Sequence, residues 1–119
     1  MIRAIKLYTG SDGASHFTEG SIAVGFPTEV TTIHFEESLP HASFDWHNDQ
    51  EPQYVVTLSG TLEFTTRDGE TFVLHPGDVL IATDHIGTGH KWRLIDDDPW
   101  RRAYVGLKPG TTDHFVGKA

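Results

Sequence analysis

The chain has 119 residues, room for one domain with one core but not for a separate cofactor-binding domain. Its 17 acidic residues against 9 basic ones leave a formal charge of −8, which repels a phosphate backbone or an anionic membrane surface and argues against nucleic acid and membrane as partners. The lack of cysteine removes disulfides, thiolate metal sites and cysteine nucleophiles, so any bound metal must be held by nitrogen or oxygen.

The first apolar segment, 2–8, carries Arg3 and Lys6 inside it, so it reads as a strand rather than a signal peptide or a membrane span, and a cytoplasmic protein is the expectation. Segment 10–15 is glycine-rich and reads as a loop. Further strands are predicted at 21–26, 30–35, 41–45, 53–59, 61–66, 70–74, 79–82, 90–95 and 101–107. Within 53–59, Tyr54, Val56 and Leu58 share one face and Gln53, Val55 and Thr57 the other. Thr61-Leu62-Glu63-Phe64-Thr65 alternates in the same way, as expected of a strand with one buried face. Asp68-Gly69 tolerates positive φ and predicts a tight hairpin between Phe64 and Phe72. Asp96-Asp97-Asp98-Pro99 reads as an acidic turn. So many short strands in so small a chain predict an all-β fold, a two-sheet sandwich or closed barrel of the jelly-roll type formed by residues 1–119 as one domain.

Chemistry concentrates just before and within 53–59. His47, Asp49 and Gln53 stand at i, i+2 and i+6, so an extended chain gives them one parity and lets them face a barrel interior together. Pro52 cannot donate to a central ladder and can redirect the chain, which keeps Glu51 as an alternative ligand. Downstream, Pro76-Gly77-Asp78-Val79-Leu80-Ile81-Ala82 leads through Asp84-His85-Ile86-Gly87-Thr88-Gly89 to His90, a second segment able to supply the same pocket. Imidazole nitrogen with amide or carboxylate oxygen suits Mn²⁺, Fe²⁺, Ni²⁺ or Zn²⁺. Asp84 beside His85 reads as a base or as the partner that fixes an imidazole tautomer. Trp92 is a candidate pocket wall near His90. Trp46, Phe44 and Tyr54 read as packing or interface aromatics, and His16, His34, His41, His75 and His114 carry no pattern. Lys91, Arg93, Arg101 and Arg102 read as solvated strand charge, although a small anionic ligand remains compatible with them.

Over residues 44–94 the chain resembles the cupin superfamily of small barrel proteins with two short motifs on adjacent strands. The first motif, His-x-His, a short gap, Glu, six residues and Gly, is similar to His47-Asn48-Asp49, three residues, Gln53, six residues and Gly60. Asp49 and Gln53 stand where the family has its second histidine and its glutamate. Gly77-Asp78-Val79-Leu80-Ile81-Ala82 and the later His90 resemble the second motif, with His85 as a rival for the histidine position. The resemblance implies a double-stranded β-helix, or jelly-roll barrel. It implies a divalent first-row transition metal (Mn, Fe, Ni or Zn) on His47, Gln53 and His90, with Asp49, Glu51 and Asp84 available for proton transfer and a small organic molecule as substrate. Metal-free ligand binding and metal-independent acid/base isomerisation are the alternatives, and a homodimer is expected. No nucleophile elbow, phosphate-binding loop or dinucleotide fingerprint occurs, so those mechanisms find no support in the sequence.

Overall fold

The alternation of apolar and polar side chains is realised as strand in a computed structural model that describes residues 1–47, 51–84 and 87–118. Its regular elements are β1 (Ile2–Thr9), β2 (Ser15–Ile22), β3 (Val30–Ser38), β4 (Ser43–His47), β5 (Gln53–Ser59), β6 (Leu62–Thr66), β7 (Thr71–Leu74), β8 (Val79–Ala82), β9 (His90–Leu94), β10 (Trp100–Leu107) and β11 (Phe115–Gly117). Among the described residues no helix is long and apolar enough to cross a membrane.

One sheet runs β11-β2-β1-β8-β5-β10-β3 and the other β4-β9-β6-β7. Neighbours pair antiparallel except β1 with β8, whose parallel pairing ties the first strand to the second half of the chain. The fold is an all-β jelly-roll barrel. Ile5, Leu7 and Val55 of the larger sheet meet Phe64, Phe72 and Trp92 of the smaller one in the main core. Fully burying a side chain of this size contributes about 1.5–3 kcal/mol. The period of two is visible in β8, where Leu80 and Ala82 join that core while Val79 and Ile81 join a second cluster with Ala4, Tyr54 and Val56. Val55 and Tyr54 therefore lie on opposite faces of β5, as the alternation requires.

The Asp-Gly hairpin joins β6 to β7, with Gly69 at φ 86° and its N–H donating to the Thr66 carbonyl at 3.0 Å. Three expectations need correction. Residues 15–22, not 21–26, form the second strand, because pairing with β1 along its whole length compensates for the polar sequence SHFTEGSI. The strand expected at 41–45 runs Ser43–His47. A short strand, β11, was not foreseen, and it is held by pairing to β2 and by Phe115 packing on the second cluster.

Candidate functional site

The site is built where β4 meets β9. Phe44 pairs with Trp92 and His47 with His90, so β4 spends one extra residue between the two pairs, a bulge. Strict alternation would turn Phe44 and His47 to opposite faces. The bulge restores them to one face, where their rings stack with centroids 4.2 Å apart. It also brings the Asp45 carbonyl 2.8 Å from His47 Nδ1. A carbonyl only accepts, so Nδ1 carries the proton, and in the neutral ring Nε2 is the basic nitrogen.

His90 repeats this arrangement with a stronger partner. Its Nδ1 lies 2.8 Å from Asp84 Oδ2, and both side chains are buried. Burial pushes the Asp84 carboxyl up, but the His90 hydrogen bond and charge, with the Ser15 hydroxyl nearby, outweigh it and hold Asp84 below the ordinary carboxylate value. The segment carrying Asp84 is pinned from both sides. Thr83 donates from N and Oγ1 to the Leu7 carbonyl at 2.9 and 2.6 Å. Beyond it, the Gly89 N–H donates to Ser15 Oγ at 3.0 Å and the Ser15 N–H to Thr88 Oγ1 at 3.0 Å. The rings of His47 and His90 meet edge to face with centroids 4.5 Å apart.

A cavity of about 410 Å³ opens beside His47. One wall is the inward face of three neighbouring strands, with Thr32 and His34 from β3, Arg102, Tyr104 and Gly106 from β10, and Gln53 from β5. Phe44, His47 and Trp92 form the opposite wall, and Glu51 stands at the exposed rim. Gly106 makes room for Glu51, since a Cβ there would sit 3.0 Å from Glu51 Oε1. His34 stacks on Tyr104 at 5.0 Å.

The structure thus places His47, Gln53 and Glu51 on one cavity and His90 directly behind His47, with Asp84 behind His90 and off the cavity wall. Asp49 and His85 lie outside the described residues. Trp92 lines the cavity as expected. Arg102, expected to be solvated strand charge, is 7% exposed, whereas Arg93 and Arg101 pair with Glu63 and Glu37 on the surface. Sequence reasoning also missed His34, Tyr104 and Ser15. The first two could have been found only by knowing that β3 pairs with β10 in a register that sets His34 opposite Tyr104.

Among the described residues no three His, Asp or Glu side chains gather as a metal site. The donor chemistry that is present is a pair of imidazoles with Nδ1 already committed, plus the Gln53 amide on the adjoining cavity wall. An outer carboxylate or carbonyl on Nδ1 is the usual support of a metal-binding histidine. The set fits a first-row divalent ion in ligand type.

No curated protein matches the chain. Among solved structures it is similar to a Cupin 2 conserved barrel domain protein from Salinispora arenicola CNS-205, at 20% identity and a TM-score of 0.53 over 76% of this chain and 75% of that one. It is also similar to a DUF861 family protein from Thermotoga maritima, at 26% identity and a TM-score of 0.49 over 65% of this chain and 77% of that one. The family model for the cupin domain, Cupin_2, matches residues 34–102, which hold the second half of β3, β4 through β9 and the first residues of β10. With both motif strands inside that span and more than half of the chain matched, the chain belongs to the cupin superfamily.

Proposed function

We propose that this protein is a small one-domain cupin that holds a divalent first-row metal at His47 and His90, with Gln53 as a third ligand, and acts on a small organic molecule in the adjoining cavity. The observation that carries this reading is the pair of neighbouring imidazoles, each with its Nδ1–H given to a fixed acceptor, Asp45 O or Asp84 Oδ2. A bound divalent ion supplies Lewis-acid polarisation of a substrate carbonyl or hydroxyl. The chain's own groups do the rest. Asp84 orients His90, Phe44 and Trp92 offer an apolar wall, and Glu51 at the rim accepts or returns a proton. Fold kinship does not choose among oxygenase, isomerase and lyase chemistry.

Elemental analysis of tag-free protein tests the reading, with wild type compared to His47→Ala and His90→Ala. Near-stoichiometric metal in wild type and its loss from both variants is the expected result. A metal-free wild type that also refuses Mn²⁺, Fe²⁺, Ni²⁺ and Zn²⁺ would overturn it.

One observation favours a second reading. The buried Asp84–His90 pair is also the arrangement of a histidine acid/base, so turnover retained in chelator would move the assignment to metal-independent isomerisation. We further propose a cytoplasmic homodimer. Its support is the edge strand β3, whose outer side chains Ile33 and Phe35 are 60% and 68% exposed. A monomer mass that stays unchanged as concentration rises would refute the dimer.

A further inference from the structure

We infer that Arg102 is the receptor for a carboxylate group on the molecule that occupies the cavity, which makes small organic acids the ligand class. The inference rests on reading that cavity as the reaction site.

Arg102 sits on the inward face of β10 and lines the same cavity as His47 and Gln53. Its guanidinium lies 3.9 Å from the Trp100 ring centroid, with Tyr104 and Trp92 at 5.5 and 5.9 Å. Nη1 donates to Ser38 Oγ at 2.8 Å and to the Trp100 carbonyl at 3.0 Å, and Nε donates to Tyr104 OH at 3.2 Å. These contacts fix the plane of the fork. None of them carries a negative charge. Arg102 forms no ion pair among the described residues, whereas Arg3, Arg93 and Arg101 each hold a carboxylate at 2.9 Å or closer. Glu36, opposite Arg102 in the β3–β10 register, lies instead 3.8 Å from His34 Nε2.

A buried charge without a counter-charge is costly, and aromatic faces and neutral dipoles recover only part of that cost. Nη2 donates to no described residue, which leaves one arm of the fork for the cavity. A carboxylate supplies both the missing charge and a planar acceptor matched to the guanidinium. Phosphate fits less well, because one cation faces it and the Glu51 carboxylate stands on the same cavity. Glu51 and Gln53 lie near the Gly106 end of β10, away from Arg102, so they would meet the polar remainder of an acid anchored at the guanidinium.

The probes are acetate, lactate and pyruvate, each compared with its amide, and inorganic phosphate. Binding is followed by tryptophan fluorescence and calorimetry on protein both metal-loaded and chelator-treated. At least one acid should saturate the site, with its amide and phosphate weaker by about tenfold or more, the effect of losing a charge-assisted hydrogen bond. Arg102→Met should abolish that preference while leaving metal content unchanged. Arg102→Lys should keep the preference for acid over amide at reduced affinity, and Ser38→Ala, which loosens the fork without removing charge, should weaken acid binding. If Arg102→Met does not fold, these last two decide. Equal binding of acid and amide, tighter binding of phosphate, no saturable binding of any acid, or wild-type acid binding in the Arg102 and Ser38 variants each overturns the assignment. Acid binding that disappears with chelation but survives Arg102→Met belongs to the metal and also overturns it. Acid binding that survives chelation and needs Arg102 supports it even where the metal reading fails.

Discussion

Asp84 and Arg102 are both buried charged side chains of one barrel, and they are treated in opposite ways. Asp84 is enclosed where the loop before β9 folds back on β1 and β2, and its charge is answered inside the protein by His90 at 2.8 Å. Arg102 lies on a cavity wall between β3 and β5, held by a hydroxyl, a carbonyl, a phenol and three aromatic rings, with no counter-charge among the described residues. A charge with an internal partner orients that partner and is costly to disturb. A charge without one keeps its interaction for something that arrives from solution. The same degree of burial therefore marks scaffold in one region and recognition in the other.

The largest expected effect follows from the first half of this contrast. Asp84→Ala leaves the His90 Nδ1–H buried without its acceptor, and stranding a donor whose partner was a charged group costs up to about 3 kcal/mol. Urea denaturation should show that loss at neutral pH, and a change below about 1 kcal/mol would mean that water replaces the carboxylate and that the region is less closed than its packing indicates. On the cavity wall, Gly106→Ala places a Cβ 2.8 Å from the Oγ1 atoms of Thr31 and Thr32 and 3.0 Å from Glu51 Oε1. Overpacking of this kind costs about 1–3 kcal/mol, and the exposed Glu51 side chain is the neighbour best able to yield. On the proposed role of Glu51 as the proton carrier, turnover should fall with Glu51 displaced, and Glu51→Gln in the same background should lower it no further. Arg102→Met should be milder still for stability, about 1 kcal/mol or less, because it removes a buried charge that has no counter-charge together with its neutral hydrogen bonds, and the two effects oppose each other. A loss as large as that of Asp84→Ala would make Arg102 a structural residue and erase the distinction between the two regions.

How much of this could be read from the sequence depends on whether the information is local. The β5 faces, the Asp-Gly hairpin and the two motif strands follow from alternation and turn chemistry within a few residues, and the structure has them as expected. The span of β2 was not legible, because its polar sequence is a strand only through pairing with β1. His47 and His90 were found from spacing and family resemblance, yet the reason that they meet is a bulge at residues 45–46, which alternation alone would have placed wrongly. Arg102 was misjudged for a related reason. Beside Arg101 it looks like one more strand cation, and only the pairing of β10 with both β3 and β5 turns it inward beneath Tyr104 while Arg101 turns out to Glu37.

The smallest effect belongs to a charged pair that lies outside both regions. His16 Nε2 lies 2.8 Å from Asp12 Oδ2, with Asp68 Oδ2 3.6 Å from Nδ1, and Asp12 is well exposed. The hydrogen bond to Asp12 raises the imidazole pKa above its ordinary 6.5 against a smaller opposing effect of burial, with the charges of Asp12, Asp68 and Glu70 adding to the rise. A histidine whose folded pKa is raised binds its proton more tightly in the native state. Its stabilisation is therefore fully present below pH 6.5 and is lost as pH climbs through the folded value. A proton-NMR titration should place the His16 midpoint above 6.5, and His16→Gln should remove a shallow downward slope of stability over that window while leaving the melting temperature at higher pH nearly unchanged. A midpoint at or below 6.5 would mean that the pair does not persist in solution. A steep slope would mean that a solvated pair carries weight comparable to the enclosed Asp84–His90 pair, against the view that enclosure sets the worth of a charge in this barrel.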